Sequence, residues 1–228
     1  MKISLIMATL GRVTEIERLL ESLERQTYRN FELIIVDQNK DNRLDALVSS
    51  FVKKMKIQHI KTGKCGLSFA RNHGIQYIQG EIIAFPDDDC WYFPDTLEKV
   101  VNKFNDSPSL GCITGCPIDQ DGNFLLPSVP KTAVFLDNRR IWHAAISFTI
   151  FVKTKIVKDQ SIRFDENLGV GADSPYGSGE ETDFLLILLE KGIKLKYFPD
   201  LQVGHPNKEQ GKNRRRFMIC TQKVGHDN

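Results

Sequence analysis

The stretch "EIIAFPDDDCWYFPD", residues 81–95, places three consecutive aspartates between an apolar run and an aromatic run. The apolar part has the length and composition of a buried β-strand, so the aspartates directly follow a strand end. Neighbouring carboxylates repel one another, and no basic residue within the stretch compensates them. Two interpretations are open from these residues: a solvated turn, in which Asp is common, or a site for a divalent cation.

The residues before this stretch alternate between strand-like and helix-like patterns. Short β-rich runs such as "KISLIMAT" and "FELIIVDQ" are followed by segments with apolar residues at helical spacing, as in "VTEIERLLESLERQT" and "GLSFARNHGIQYIQ". Strands that alternate with helices predict right-handed crossovers and a mostly parallel sheet. Ligands of such sheets bind beyond the carboxyl ends of the strands. We therefore expect one rim to collect three strand ends: residues 9–12, 37–39 and 87–89.

The second half of the chain is less regular. "GCITGCPID" and "IKLKYFPDLQVGH" are predicted strands, "DGNFLLPSVPKTAVF" a turn and loop, and "IWHAAISFTIFVKTKIV" a strand followed by a short helix. "GVGADSPYGSGEETDFLLILLEKG" predicts a glycine-rich loop and then an apolar helix that stops at Gly192. The helix start reads as a capping box, with Ser178 as N-cap and Glu181 three residues later. The helix dipole would keep Glu180 and Glu181 ionised, so a structural role competes with a catalytic one.

Composition is typical of a soluble globular protein. Hydrophobic residues make up 41% and charged residues 26% of the 228 residues, and a net charge of +2 gives no support for a nucleic-acid partner. The longest apolar runs are far shorter than the roughly 20 residues of a membrane span. The N-terminal apolar run lacks the length and cleavage site of a signal peptide. We therefore expect a cytoplasmic protein whose five cysteines are free thiols.

Four further features carry both a structural and a functional interpretation. Asp37 ends the second predicted strand, where it can form an Asx-turn or accept hydrogen bonds from a ligand. Arg71 is either a surface arginine or, if its helix points at the rim, a group that binds phosphate or a nucleotide base. His205 is either simply hydrogen-bonded or a metal ligand. The basic run "KNRRR", residues 212–216, is either a solvated face or a contact for an anionic acceptor or lipid headgroups.

Five motifs in sequence resemble those of the family 2 glycosyltransferases with the GT-A fold. "SLIMATLGR" looks like the opening strand of that family, "ELIIVDQ" like its nucleotide-binding second strand, and "GLSFARNHGI" like its arginine-bearing helix. "AFPDDDCWYFPDTL" is similar to its metal motif, and "GSGEETDFLL" resembles its base motif. The resemblance covers about residues 1–205. It implies an α/β protein with a Rossmann-like, mostly parallel central sheet flanked by helices and a smaller, mixed second half for acceptor binding.

The resemblance also implies a donor site. Residues expected to bind the nucleotide sugar are Thr9, Leu10, Arg12, Asp37, Asn39, Arg71, Asp87 and Asp88. Asp87 and Asp89 form the two ends of the D-x-D motif. Asp89 is the principal metal ligand implied, with Asp87 and His205 as the other candidates, and Mn²⁺ or Mg²⁺ is the implied cofactor.

The same resemblance implies a general base and a set of residues that bind the acceptor. The second acid of the base motif falls on Glu181, where many relatives have Asp, and Glu180 is the alternative base. A Glu of ordinary pKa, about 4.3, is a weak base that serves best late in the transfer. The loop over the sugar is expected at residues 169–176. The acceptor side is expected to include Trp142, His143 and Tyr176.

These roles together imply an inverting transfer from a nucleotide-diphosphate sugar to a hydroxyl of a glycan or lipid-linked acceptor, with UDP as the default nucleotide. The implied setting is synthesis of a bacterial surface polysaccharide at the inner face of the membrane. We expect one domain, 1–207, in which residues 1–95 bind the nucleotide sugar and residues 96–207 bind the acceptor. Residues 208–228 are expected to form a basic tail in peripheral contact with the membrane.

Two other classes of function are open. A catalytically inactive nucleotide-sugar-binding domain would keep Asp37 and the aspartate run but would not need an acid at position 181. A metal-dependent nucleotidyl or phosphoryl transferase also uses strand-end aspartates. A nucleotidyltransferase would carry a glycine-rich phosphate loop after the first strand, and an aspartate-nucleophile phosphohydrolase would carry its aspartates there; "MATLGRVTE" supplies neither.

Overall fold

Strands and helices alternate through the first half of the chain, as the sequence predicts. The computed structural model describes residues 1–126, 128–144 and 146–207; the predicted tail, 208–228, and Cys220 lie outside these residues. The strands are β1 (Ile3–Thr9), β2 (Phe31–Asp37), β3 (Ile57–Lys61), β4 (Ile82–Ala84), β5 (Trp91–Tyr92), β6 (Cys112–Ile118), β7 (Val134–Phe135), β8 (Ile150–Lys153) and β9 (Leu195–Gly204). The helices are α1 (Thr14–Glu24), α2 (Asp45–Phe51), α3 (Leu67–Ile75), α4 (Thr96–Asp106), α5 (Ile141–Ala144), α6 (Thr154–Asp159) and α7 (Glu180–Glu190), with a 3₁₀ turn at Ser147–Thr149.

Within the described residues, all the strands join one sheet in the order β3-β2-β1-β4-β8-β6-β9-β5, with β7 paired to β9. The first four strands in this order are parallel, whereas β8 runs antiparallel to both β4 and β6. The predicted GT-A architecture, a parallel half followed by a mixed half, is therefore confirmed. Strand β5 comes directly after the aspartates yet pairs with β9 at the far edge. The aspartate run thus crosses from the parallel half to the mixed half along the rim.

Two hydrophobic cores cover the two faces of the sheet. Side chains of β1 alternate between them: Leu5 and Met7 face the core shared with α1, α2 and α4, and Ile6 faces the core shared with α3 and α7. This burial on both sides explains why the central strands read as continuous apolar runs. The parallel register sets Thr9 beside Asp37, and an isolated bridge sets Ala8 beside Asp87. The predicted strand ends therefore meet at one rim, because the register of the parallel strands aligns them there.

The sequence-based prediction of local structure was wrong at three places in the second half. The capping box at Ser178 is wrong: the N-cap of α7 is Gly179, in a left-handed conformation with φ of 99°, and no side chain caps the helix. The segment predicted as a loop contains β7, and a short helix, α5, precedes β8 where only a strand was predicted. Strand β7 forms because it pairs with β9, a tertiary contact that local propensity does not encode.

Two expectations from composition can be compared with the described residues. The four cysteines there, Cys65, Cys90, Cys112 and Cys116, form no disulfide bond, in agreement with the expected thiols. Among the helices that the structure describes, none is both long and apolar enough to cross a bilayer.

Helix α3 packs so closely on the sheet that Gly74 has no room for a side chain. A Cβ there would overlap Ile6 Cγ2 and lie 3.3 Å from Val36 Cγ2. Gly74→Ala should therefore lower the free energy of unfolding by about 1–3 kcal/mol through overpacking, although Ala is the better helix former. Urea unfolding measures this change. Gly63→Ala is the matched control, because a Cβ at Gly63 meets nothing within 4 Å; equal losses of stability in both variants would contradict the prediction.

Candidate active site

Side chains at the end of β1 and in the loop after it bind two of the three aspartates. Thr9 Oγ1 donates to Asp88 Oδ2 at 2.7 Å, and Arg12 Nη1 lies 2.6 Å from Asp88 Oδ1. The same guanidinium also contacts Asp89. Burial raises the pKa of Asp88 to about 7, against the opposing effects of the Arg12 charge and the Thr9 hydrogen bond. Leu10, in the same loop, is 45% exposed at the rim.

His205 brings the end of β9 to the same carboxylates. Its Nε2 lies 2.9 Å from Asp89 Oδ1, its Nδ1 lies 2.9 Å from the Pro206 carbonyl oxygen, and its ring stacks on Phe148. A carbonyl oxygen only accepts, so Nδ1 carries a proton, and a neutral ring would present the Nε2 lone pair to a carboxylate. The contact with Asp89 therefore requires a second proton or a cation at Nε2. Burial would raise the pKa of Asp89, but the hydrogen bond and charge of His205, together with Arg12, lower it to about 2.

Asp87, Asp89 and His205 can together hold a divalent cation. One ligand atom from each residue lies within 4.8 Å of the others. Carboxylate oxygens are suited to Mg²⁺ and Mn²⁺, and a neutral imidazole nitrogen is a common metal ligand. The orientation of Nε2 toward Asp89 independently favours a positive charge at this point. The residues present thus fit a metal ion in type and in spacing.

Arg71 joins the aspartate run to the helix of the base motif. Only 1% of this residue is exposed, which excludes the surface-arginine interpretation. Its Nη2 donates to Asp87 Oδ1 at 3.0 Å and its Nη1 donates to Glu180 Oε1 at 3.2 Å. Ser147 Oγ also donates to Asp87 Oδ1, at 3.2 Å. Ser147 was missed by the sequence analysis because nothing in its local pattern sets it apart.

The two acids at the start of α7 lie in different environments. Glu180 is 5% exposed and is held by Arg71, whereas Glu181 is half-buried beside it. Burial and the neighbouring charge of Glu180 raise the pKa of Glu181 to about 7. The expectation of an ordinary pKa is therefore wrong, because desolvation outweighs the stabilisation by the helix dipole that the sequence suggested.

Asp37 is fully buried at the end of β2. Its Oδ1 accepts hydrogen bonds from the backbone and side-chain nitrogens of Asn39, and its Oδ2 lies 2.9 Å from His59 Nε2. Asn39 Oδ1 in turn accepts a hydrogen bond from the Gly11 amide. The Asx-turn interpretation is thus realised, and it fixes the β1–α1 loop. His59 was missed by the sequence analysis, because its contact with Asp37 depends on the pairing of β3 with β2.

The predicted acceptor residues make their hydrogen bonds to groups other than these carboxylates. Trp142 and Tyr176 are 65% and 64% exposed, and the Trp142 indole nitrogen donates to the Asn138 carbonyl oxygen. His143 Nδ1 pairs with Ser128 Oγ. Among the described residues, none of the three predicted acceptor residues makes a hydrogen bond or ion pair to the rim groups.

The start of the loop formed by residues 169–176 is fixed on α3. Ser68 Oγ donates to the Leu168 carbonyl oxygen and the Leu67 amide donates to the Val170 carbonyl oxygen. Gly169, with φ of 95°, approaches the Glu180 carboxyl so closely that a Cβ would lie 3.1 Å from it. The loop that begins at Gly169 therefore packs against the Glu180 carboxyl.

Comparisons with known proteins identify the family of this chain. The family model "Glycosyl transferase family 2" matches residues 4–161. The minor teichoic acid biosynthesis protein GgaB of Bacillus subtilis is 28% identical over 165 residues, which cover 68% of this chain and 18% of GgaB. The protein EpsH of the same organism is 34% identical over 111 residues, which cover 47% of this chain and 32% of EpsH.

Solved structures share the fold at low sequence identity. TarS residues 1–349 from S. aureus, in complex with UDP, has a TM-score of 0.77 and 22% identity, with 90% of this chain and 60% of that one covered. The mannosyltransferase PcManGT from Pyrobaculum calidifontis, in complex with GDP-Man and Mn²⁺, has a TM-score of 0.68 and 15% identity, with 95% and 58% covered. The chain therefore spans less than two thirds of the length of each of these relatives. Since the family model covers more than half of the chain, the protein belongs to glycosyltransferase family 2.

Proposed function

We propose that this chain is the catalytic domain of an inverting glycosyltransferase that moves a sugar from a UDP-sugar to a hydroxyl of a glycan or lipid-linked acceptor. One observation carries the proposal: Arg71 links a three-residue cation site to Glu180, and the neighbouring acid, Glu181, has a raised pKa on the same rim. Similarity to TarS, solved with UDP and with UDP-GlcNAc, supports UDP as the nucleotide. Residues 1–95 bind the donor in this proposal, and residues 96–207 bind the acceptor.

The donor's nucleotide is bound by the loop after β1 and the end of β2. Thr9, Leu10 and Arg12 line the pocket, and Asp37 holds Asn39 toward it. The Asn39 side chain fixes the Gly11 amide, so this loop is ordered before a ligand arrives. Preorganisation of this kind reduces the entropy lost on binding.

The donor's diphosphate lies beside the aspartate run. Asp89, Asp87 and His205 hold the divalent cation, Mn²⁺ or Mg²⁺, and Asp88 contacts the ribose or the donor sugar. The cation, when bound, neutralises the charge that develops on the departing diphosphate. Arg12 contacts both Asp88 and Asp89, so it supplies positive charge to the same region.

The acceptor is activated at the start of α7. Glu181 removes the proton from an acceptor hydroxyl, whose oxygen attacks the anomeric carbon on the face opposite the diphosphate. A pKa of about 7 makes Glu181 a stronger base than an ordinary carboxylate and leaves it substantially ionised at neutral pH. Glu180 serves as a positioning residue, because its carboxylate is bound to Arg71.

Asp89→Ala should abolish metal-dependent binding of UDP. The variant loses a carboxylate ligand and leaves His205 without its partner, so we expect at least about a tenfold weaker affinity in the presence of Mn²⁺. Isothermal calorimetry with and without Mn²⁺ measures this change. Asp159→Ala, at the exposed end of α6, is the control and should bind like the wild type. Unchanged affinity in Asp89→Ala would remove this residue from the cation site, and tighter binding of GDP or dTDP would reassign the nucleotide.

Glu181→Gln should lower kcat by about 10²–10⁴-fold with UDP binding intact, because it removes the base and little else. In the wild type, kcat should rise about tenfold per pH unit up to about pH 7 and then level off, since only the ionised carboxylate accepts the proton. Product analysis over a pH series measures both and separates transferred sugar from pyrophosphate or free monophosphate. Near-normal transfer by Glu181→Gln would refute its role, and a complete lack of transfer by the wild type across an acceptor panel would favour the inactive binding domain.

The raised pKa of Glu181 also predicts a pH-dependent loss of stability. The folded protein keeps this proton up to about pH 7, whereas an unfolded Glu releases it near 4.3. The folded state therefore binds more protons between these values, and the free energy of unfolding falls as the pH rises through them. At pH 8, the free energy of unfolding of Glu181→Gln should exceed that of the wild type by about 2 kcal/mol, a value reduced because Glu181 is partly exposed. At pH 5, the difference should be much smaller.

Urea unfolding at the two pH values tests this expectation. Glu190→Gln, at the exposed far end of α7, is the matched control and should show only a few tenths of a kcal/mol at either pH. A gain in Glu181→Gln that is equal at pH 5 and pH 8 would contradict the raised pKa.

A further inference from the structure

A cleft of about 420 Å³ lies next to the aspartate run and has no lining residue in common with the proposed donor site. Its volume is within the usual range of small-molecule sites, about 300–1,000 Å³. Helix α1 contributes one wall, the residues after the aspartates contribute the floor, and the segment after β6 contributes the opposite wall. The residues that matter for its chemistry are Arg18, Ser22, Arg25, Trp91, Phe93 and Gln120.

Arg18 is held in a fixed orientation in this cleft. Its guanidinium carbon lies 4.6 Å from the centre of the Trp91 ring, and its Nη2 donates to the Asp89 carbonyl oxygen. The Trp91 ring is itself seated on β9, because a Cβ at Gly204 would overlap it. Among the described residues, no carboxylate forms an ion pair with Arg18, whereas Arg12 and Arg71 at the rim each have two. The cleft therefore presents a positive charge that the described part of the chain does not neutralise.

The remaining donors of Arg18 are suited to a phosphate group. A guanidinium carries five N–H donors in a planar fork that matches phosphate oxygens, and only one of them is used by the Asp89 carbonyl. Arg25 also lines the cleft, and within the described residues its ion pair is with Glu21, through a highly exposed contact of the kind that contributes little energy. The cleft therefore contains a second, weakly held guanidinium.

The apolar part of the cleft indicates what the phosphate is attached to. Trp91 and Phe93 supply flat apolar surface next to the two arginines, and Gln120 supplies an amide for hydroxyl groups. This combination matches a polyol or sugar, which offers C–H faces and hydroxyls within a few ångströms of a phosphodiester. A recess of this size favours such a small soluble group over the flat surface of a bilayer.

We propose that this cleft binds a phosphate-bearing polyol or sugar segment of the acceptor, an assignment that rests on the proposed transferase function. The cleft is joined to the cation site through the backbone: Arg18 binds the carbonyl of Asp89, and Trp91 lies on Gly204, the neighbour of His205. In this proposal, an acceptor segment that binds in the cleft extends past the donor diphosphate. The cleft then holds the acceptor on one side of the place where the sugar is transferred. Arg18 and Trp91 then act as acceptor-binding residues within residues 1–95, in addition to the acceptor side proposed for residues 96–207. Arg18 lies outside the five family motifs, and Trp91 lies within the one similar to the metal motif.

The tryptophan content makes binding in this cleft directly measurable. The chain has two tryptophans, so Trp142→Phe leaves Trp91 as the only one. In that background, sn-glycerol 3-phosphate is titrated in EDTA, with glycerol as the neutral comparison. We expect a saturable change in Trp91 emission with glycerol 3-phosphate, at a Kd of about 1 mM for so small a probe, and none with glycerol. Adding Arg18→Gln should weaken binding at least about tenfold, whereas Arg29→Gln, an arginine outside the cleft, should leave it unchanged.

Three results would overturn the proposal. The first is a lack of saturable change, or a change that Arg18→Gln does not weaken. The second is loss of the signal when UDP and Mn²⁺ are added, because the probe would then lie in the donor site. The third is Arg18-dependent binding to phosphatidylglycerol vesicles without binding of glycerol 3-phosphate, which would assign the charge to a lipid headgroup.

The same experiment separates this inference from the proposed function. UDP binding that requires Asp89 but is accompanied by no glycerol 3-phosphate signal would refute the cleft alone. A glycerol 3-phosphate signal in a protein that binds no nucleotide would refute the acceptor role, since no transfer reaction would remain for the segment to serve.

Discussion

The contacts of one buried guanidinium, that of Arg71, hold the two acidic parts of the site together. Asp87 belongs to the crossing between β4 and β5, Glu180 begins α7, and Arg71 is on α3, so three separate elements meet at this group. Removing one partner of a buried ion pair typically costs about 3–5 kcal/mol, because the remaining charge is left uncompensated. Without Arg71, the two carboxylates would repel each other across the rim.

The remaining acids of the site have different pKa values because their surroundings differ. Asp89, bound by His205 and Arg12, has a pKa of about 2 despite its burial, whereas burial raises the pKa of Asp88 and Glu181 to about 7. Pairs of carboxylates whose environments move their pKa values apart are suited to different tasks. Here the permanently ionised Asp89 is suited to a cation and Glu181 to proton transfer. The difference arises from partners and burial, since the side chains are chemically almost the same.

The sequence predicted the parts of the molecule that depend on pattern. The alternation of strands and helices placed Thr9, Asp37 and Asp87 at one rim, and parallel register does bring them there. The burial of Arg71 and the contact of His59 with Asp37 could not be predicted, because each depends on which side chains of distant elements meet.

Local rules failed where the backbone conformation was unusual. The capping box at Ser178 has the expected sequence, but Gly179 adopts a left-handed conformation and becomes the N-cap instead. A glycine at this position permits a turn that other residues rarely adopt. The turn leads directly into Glu180, which is buried against Arg71, and Glu181, which is half-buried beside it.

Each of the three neighbouring aspartates has a nitrogen-bearing partner side chain, and these partners come from different elements. Asp87 pairs with Arg71 of α3, Asp88 with Arg12 of the β1–α1 loop, and Asp89 with His205 after β9. The repulsion that makes the run improbable as a turn is thus compensated before any ligand binds. A cation entering between Asp89 and His205 therefore takes up a place that the protein already provides, with little rearrangement of the backbone. Such a preformed site loses less entropy on binding than one assembled by its ligand. The aspartate run therefore contributes both to the contacts between elements of the fold and to the proposed cation site.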